Sequence, residues 1–67
     1  MDKVNRFVRL PEVINQVGLS RSQIYKLIAQ NAFPKQIKAG GRVAVWVLDE
    51  VDDWMLKEIK NARNEEV

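Results

Sequence analysis

Gly18-Leu19-Ser20-Arg21-Ser22-Gln23-Ile24-Tyr25-Lys26-Leu27-Ile28 reads as a tight turn opening directly into a helix with two unlike faces. Ser20 stands where an N-cap is needed, and Gln23 completes a capping box in which side chain and backbone satisfy each other's orphan donors. The pattern predicts a helix over 20–31 with a defined start. At roughly 100° per residue, Ile24, Leu27, Ile28 and Asn31 fall on one side. Ser22, Tyr25, Lys26 and Ala29 fall on the other, with Arg21 at its edge. One face can be buried. The other presents a guanidinium, a hydroxyl, a phenol and an ammonium near its N-terminal end, and small Ala29 leaves room for close approach further along.

An ordinary solvated amphipathic helix shows the same periodicity, so the flanking sequence has to decide between the two readings. Upstream, Pro11 suits the first turn of a helix, where its missing N–H is unsatisfied anyway, and Glu12 complements the positive helix end. Val13, Ile14 and Val17 supply an apolar stripe at helical spacing, and Gly18 stops the helix in the left-handed conformation that glycine adopts without penalty. Leu19 is placed to plug the space between the two helices. A short helix, a turn containing glycine and a second capped helix are the parts of a helix-turn-helix in their usual order, although a helical hairpin in any small bundle shares that order.

Downstream, Asn31 is placed for a left-handed helix end, Pro34 cannot continue the helix, and Phe33 is expected to tuck beneath it. Two runs of strand character, Lys35 to Ala39 and Arg42 to Val47, flank Gly40-Gly41, a dipeptide suited to a tight hairpin turn. A phosphate-cradling loop is the other use of paired glycines, but no Gly-x-x-x-x-Gly-Lys pattern accompanies them. Lys38 and Arg42 flank the tip and give the projecting hairpin positive charge. Behind a helix-turn-helix, such a hairpin is a wing that contacts phosphates or the minor groove beside the site the helix reads.

Arg6-Phe7-Val8-Arg9 reads as a very short strand, with Phe7 on one side and Arg9 on the other, and is the natural third partner of the hairpin. Trp46 belongs to the core rather than to a base-stacking surface. Asp49 reads as the N-cap of a last helix whose first turn carries Glu50, Asp52 and Asp53 where the dipole is positive. That chemistry explains the four carboxylates without a divalent metal. Val51, Trp54, Met55 and Ile59 form the packing stripe of this helix, and Lys57, Lys60 and Arg63 suit its negative end. Met1 to Asn5 and Asn64 to Val67 read as loose ends.

The 67 residues make one small domain, residues 1–67 with a core over about 6–60, and a chain of this size buries only about 60% of its unfolded surface. It contains neither cysteine nor histidine, which removes disulfides, thiolate metal sites and the commonest general base. The expectation is a non-enzyme without cofactor or metal. No apolar run suits a bilayer, and neither a signal peptide pattern nor a lipidation motif is visible, so a cytoplasmic protein is expected. Net charge is +2, but it is unevenly divided: residues 1–48 hold eight Lys and Arg against two acids, and residues 49–67 hold seven acids against three bases. A positive surface around the two-faced helix points to a nucleic-acid partner.

Arg9-Leu10-Pro11-Glu12-Val13, the Gly18–Ala29 stretch, Phe33-Pro34-Lys35, Arg42, Trp46 and Glu50-Val51-Asp52-Asp53-Trp54, all in register, resemble the AlpA family of prophage-type DNA-binding regulators. The resemblance implies an α+β fold: a winged helix-turn-helix of MerR or excisionase type, with three helices, a short hairpin wing over 35–47 and an N-terminal strand. It implies a small transcription regulator, or alternatively a recombination directionality factor that bends DNA beside an integrase. Members often carry glycine where this chain has Asn31.

Arg21, Ser22, Tyr25 and Lys26 are accordingly the residues expected in the major groove of double-stranded DNA, with Arg21 suited to guanine and Tyr25 to a phosphate or a thymine methyl. Lys38 and Arg42 are expected on phosphate or in the minor groove, and Lys35 on the backbone. Cooperative or dimeric binding on DNA, with an integrase or RNA polymerase as protein partner, fits so small a module. A protein-interaction module on the same fold is the rival reading, with the acidic last helix as its contact surface.

Overall fold

A computed structural model describes residues 6–65. The elements run β1 (Phe7–Val8), α1 (Leu10–Val17), α2 (Arg21–Ala29), β2 (Ile37–Ala39), β3 (Val43–Val47) and α3 (Leu48–Glu65). The three strands form an antiparallel sheet in the order β1-β3-β2, so the N-terminal strand and the hairpin share β3. This is the small α+β winged helix-turn-helix that the sequence predicts.

The turn between α1 and α2 forms as its residue chemistry requires. Gly18 sits at φ 72° and donates its N–H to the Ile14 carbonyl at 2.9 Å. Ser20 Oγ accepts from the Gln23 N–H at 3.1 Å, and Gln23 Oε1 accepts from the Ser20 N–H at 2.9 Å, which completes the capping box. At the far end of α2, Asn31 adopts φ 58°. The Ala32 N–H reaches back to the Leu27 carbonyl (2.8 Å) and the Asn31 N–H to that of Ile28 (3.0 Å), the paired bonds of a Schellman motif. Asn31 has therefore left the helix and is exposed, rather than lying with Ile24, Leu27 and Ile28.

Behind this motif the chain is clasped by two tryptophans. Trp46 Nε1 donates to the Pro34 carbonyl at 3.1 Å, and Trp54 Nε1 to that of Ala32 at 2.7 Å. Phe33, between Ala32 and Pro34 in the chain, is buried and meets the Trp54 ring edge-to-face, with centroids 4.7 Å apart. Val8, Val13, Ile24, Phe33, Trp46 and Val51 make the core, one residue from each element but β2 together with Phe33 from the segment after α2.

Three details differ from the reading of the sequence. In β1, Val8 turns inward opposite Trp46, whereas Phe7 and Arg9 are both exposed, as alternation with period two demands of residues two apart. The last helix begins at Leu48, directly after β3, so Asp49 lies in its first turn rather than capping it. The Leu48 N–H still donates to the Arg6 carbonyl (2.7 Å), which extends the β1–β3 pairing into the helix start and leaves no room for a capping loop. Asp49 Oδ2 is buried without a hydrogen-bond partner among the described residues. Finally, Ile59 is exposed rather than part of the packed stripe. The loose ends read at Met1 to Asn5 and at Glu66-Val67 lie outside the described residues, while Asn64 and Glu65 still belong to α3.

Two substitutions test this account. Asn31→Gly should leave urea stability unchanged or slightly raised, and Asn31→Val should lower it by about 1 to 2 kcal/mol, because a β-branched residue strains in the left-handed region. Trp46→Phe keeps most of the apolar bulk but strands the Pro34 carbonyl, and should cost about 1 to 3 kcal/mol in the same measurement.

Candidate nucleic-acid interface

The exposed face of α2 is built from its first turn outward. With Ser20 holding the helix start, Arg21, Ser22 and Lys26 are all exposed, followed by Ala29 and Gln30. Ile24 points the opposite way and is completely buried. Tyr25 lies between these extremes. Its ring is half-buried and meets Trp46 edge-to-face, with centroids 6.3 Å apart and planes inclined at 65°. Arg21 in turn lies over the Tyr25 ring, with Cζ 5.8 Å from the centroid. Arg21, Tyr25 and Trp46 thus form a stack running from the surface into the core.

This stack changes the part Tyr25 plays. Most of its surface is committed to the domain, and its ring is a platform under Arg21 rather than a fully projecting side chain. A cation over an aromatic ring at an exposed site is worth about 0.5 to 1 kcal/mol, enough to bias the guanidinium's position and little enough for it to swing toward a phosphate or base edge. The expected contact residues of α2 are therefore brought together as a bound Arg21–Tyr25 pair beside exposed Ser22 and Lys26.

The hairpin carries the remaining cations. Gly40 and Gly41 both have positive φ, 63° and 78°, and the Arg42 N–H bonds to the Ala39 carbonyl at 3.2 Å across them. Ala39 pairs with Val43, so the loop is Gly40-Gly41-Arg42 and Arg42 stands on the tip itself. Lys38, paired with Ala44 near the end of β2, is exposed as well. Because Trp46 lies on β3, the strand that carries this hairpin, its contacts with Tyr25 and Pro34 tie the wing and α2 to one side chain.

Lys35 is placed differently. It is exposed, but it lines an open groove between the 31–37 segment and α3, together with Glu50, Asp53 and Trp54. That shared groove with α3 sets it apart from Lys38 and Arg42 on the hairpin. Gln30, in contrast, went unnoticed in the reading of the sequence. It is exposed one turn beyond Lys26, and that spacing of four was the signal available to find it.

A family model described as "Prophage CP4-57 regulatory protein (AlpA)" matches residues 6–59, which is every element of the fold except the end of α3. This chain belongs to the AlpA family. Within it, the chain is 50% identical over 50 residues to "Uncharacterized protein ORF88" of Enterobacteria phage P4, covering 75% of this chain and 57% of that protein. It is 31% identical over 61 residues to "DNA-binding transcriptional activator AlpA" of Escherichia coli K12, covering 82% of this chain and 87% of that protein. The chain thus spans little more than half the length of its phage P4 relative. No solved structure matches it. Among the described residues, no helix is long and apolar enough to cross a membrane.

As an AlpA-family domain with Tyr25 half in its core, the protein should be less stable by about 2 to 3 kcal/mol when Tyr25 becomes Ala, because the Trp46 edge loses its cover. Tyr25→Phe, which keeps the ring on both neighbours, should stay within about 0.5 kcal/mol of the parent in thermal unfolding.

Proposed function

We propose that this prophage-type regulator is a sequence-specific DNA-binding protein that acts on transcription in the cytoplasm, with α2 in the major groove and the hairpin as its wing. The observation that carries this reading is the face of α2 on which Arg21, Ser22, Lys26 and Gln30 are exposed while Ile24 opposite is completely buried. The name of the E. coli relative, a DNA-binding transcriptional activator, supports it.

The major groove is about 12 Å wide and admits one helix, whose early residues reach base edges. In this pose Arg21 leaves its place over Tyr25 to present two parallel N–H donors to guanine, the geometry that a fork-shaped guanidinium satisfies and an ammonium does not. Tyr25 keeps its ring on Trp46 and directs its hydroxyl to a phosphate. Ser22 and Lys26 contact the backbone or bases alongside, and the Gln30 amide is suited to adenine. Arg42 and Lys38 hold phosphates or reach the minor groove from the wing, adding positioning rather than direct base readout. Lys35, beside Glu50 and Asp53, contributes at most a weak backbone contact.

One such module contacts DNA over about 600 to 1,000 Å², too little for high specificity alone, so repeated sites filled cooperatively complete the reading.

The experiment is a salt titration of binding to DNA from the protein's own gene neighbourhood. Arg21→Ala should cost about 1 to 3 kcal/mol on the preferred sequence, relax the preference at one base pair and leave non-specific affinity nearly unchanged. Lys38→Ala/Arg42→Ala should instead weaken binding to all sequences and flatten the slope of log affinity against log salt by about 1 to 2. Binding that ignores both sequence and these substitutions would overturn the proposal.

A further inference from the structure

The last helix outruns the domain on which it packs. Its 18 residues span about 27 Å at 1.5 Å per residue, and only its first half packs on the sheet and the helices behind it. Val51 is fully buried and Trp54 and Met55 are half-buried, but from Leu56 to Asn64 every side chain is exposed. Two of these are large and apolar: Leu56 is 64% exposed and Ile59 44%. They stand one turn apart, and Asp52, half-buried and accepting from the Gln16 side-chain amide of α1, and exposed Arg63 continue the same face at i, i+4, i+7 and i+11.

Charge along α3 indicates what covers this face. Asp49, Glu50, Asp52 and Asp53 make its first half wholly acidic, while Lys57, Lys60 and Arg63 outnumber Glu58 over residues 57–63. A helix of this polarity is complementary to its own reverse. When two copies lie antiparallel, Leu56 of each meets Ile59 of the other, and Asp52 and Asp53 of each approach Arg63 and Lys60 of the other. A parallel arrangement sets acid on acid and base on base. The antiparallel pairing is also isologous, the same patch on both copies, so it closes as a dimer and does not propagate.

We propose that the overhanging half of α3 is a self-association surface through which two copies of this chain pair antiparallel, with Leu56 and Ile59 at its centre. The surface lies on α3, none of whose residues the DNA-binding reading uses, and the pairing takes place without DNA, so it stands or falls separately from that reading. Two helical turns bury less than the roughly 1,200 Å² of a standard interface, which places the dimer in the weak, transient class.

The test is sedimentation equilibrium of the full chain, free of DNA, from about 10 µM to 2 mM, a range suited to weak association. The wild type should move from monomer toward twice the monomer mass. Leu56→Glu/Ile59→Glu should remain monomeric while keeping its circular dichroism spectrum, since both side chains are exposed in the monomer. Lys60→Glu/Arg63→Glu, which makes both halves of α3 acidic, should weaken association at least about tenfold at low salt. In a parallel pair this second change exchanges one like-charge contact for another and alters little. A wild type that stays monomeric throughout, a dimer that survives Leu56→Glu/Ile59→Glu, or one indifferent to the charge reversal would overturn the proposal.

Discussion

The packing of Trp46 is the contact on which the rest of this fold depends. Its indole, 1% exposed, lies opposite Val8 across the sheet, meets the Tyr25 ring edge-to-face and hydrogen-bonds the Pro34 carbonyl. One side chain therefore joins the N-terminal strand, the two-faced helix, the segment leaving that helix and the hairpin. In a chain that buries only about 60% of its unfolded surface, few such junctions are available. A large amphipathic ring serves well there, because it offers area to three neighbours and satisfies its single polar atom at the same time.

The exposed chemistry inherits its order from that junction. Arg21 is positioned by Tyr25, Tyr25 by Trp46, and Trp46 by strand pairing on either side of it. The guanidinium is thus held near the start of α2, exposed and, among the described residues, not paired to a carboxylate. An ion pair there would compete with an anionic partner, whereas a ring face orients the cation and releases it at small cost. Trp54 plays a parallel part on the other side of Phe33: its bond to the Ala32 carbonyl holds the chain just past the Schellman motif and fixes where the hairpin begins.

The local devices of the chain were legible because each is a short-range bargain between neighbouring residues. The Ser20–Gln23 capping box, the left-handed Gly18 and Asn31, and the positive-φ Gly40 and Gly41 of the hairpin loop depend on backbone conformation and on partners within a few positions. Stripe positions such as Val13, Ile24 and Val51 were legible for a similar reason, since period alone tells which residues share a face. The same logic failed wherever a distant element set the outcome. Asp49 reads as an N-cap between a strand and a helix, yet the helix starts at Leu48, whose N–H is bonded to the Arg6 carbonyl. Tyr25 sits on the polar side of its helical wheel, yet Trp46, 21 residues away, meets its ring and most of it is covered. Lys35 read as one more cation, but α3 brings Glu50 and Asp53 to its groove.

What the sequence by itself determined was the order and kind of the parts: a capped two-faced helix after a glycine turn, a glycine-tipped hairpin, an acidic-start packing helix, and a positive half joined to a negative one. Those properties follow from dihedral preference, period and charge, which do not need the rest of the molecule. The tertiary structure decided how the parts are shared. It alone made Tyr25 a platform rather than a free contact, left Leu56 and Ile59 beyond the edge of the core, and tied α2 and the wing to one tryptophan. The physical reason is that burial and long-range hydrogen bonding depend on which surfaces meet across the chain, and no local pattern records that meeting.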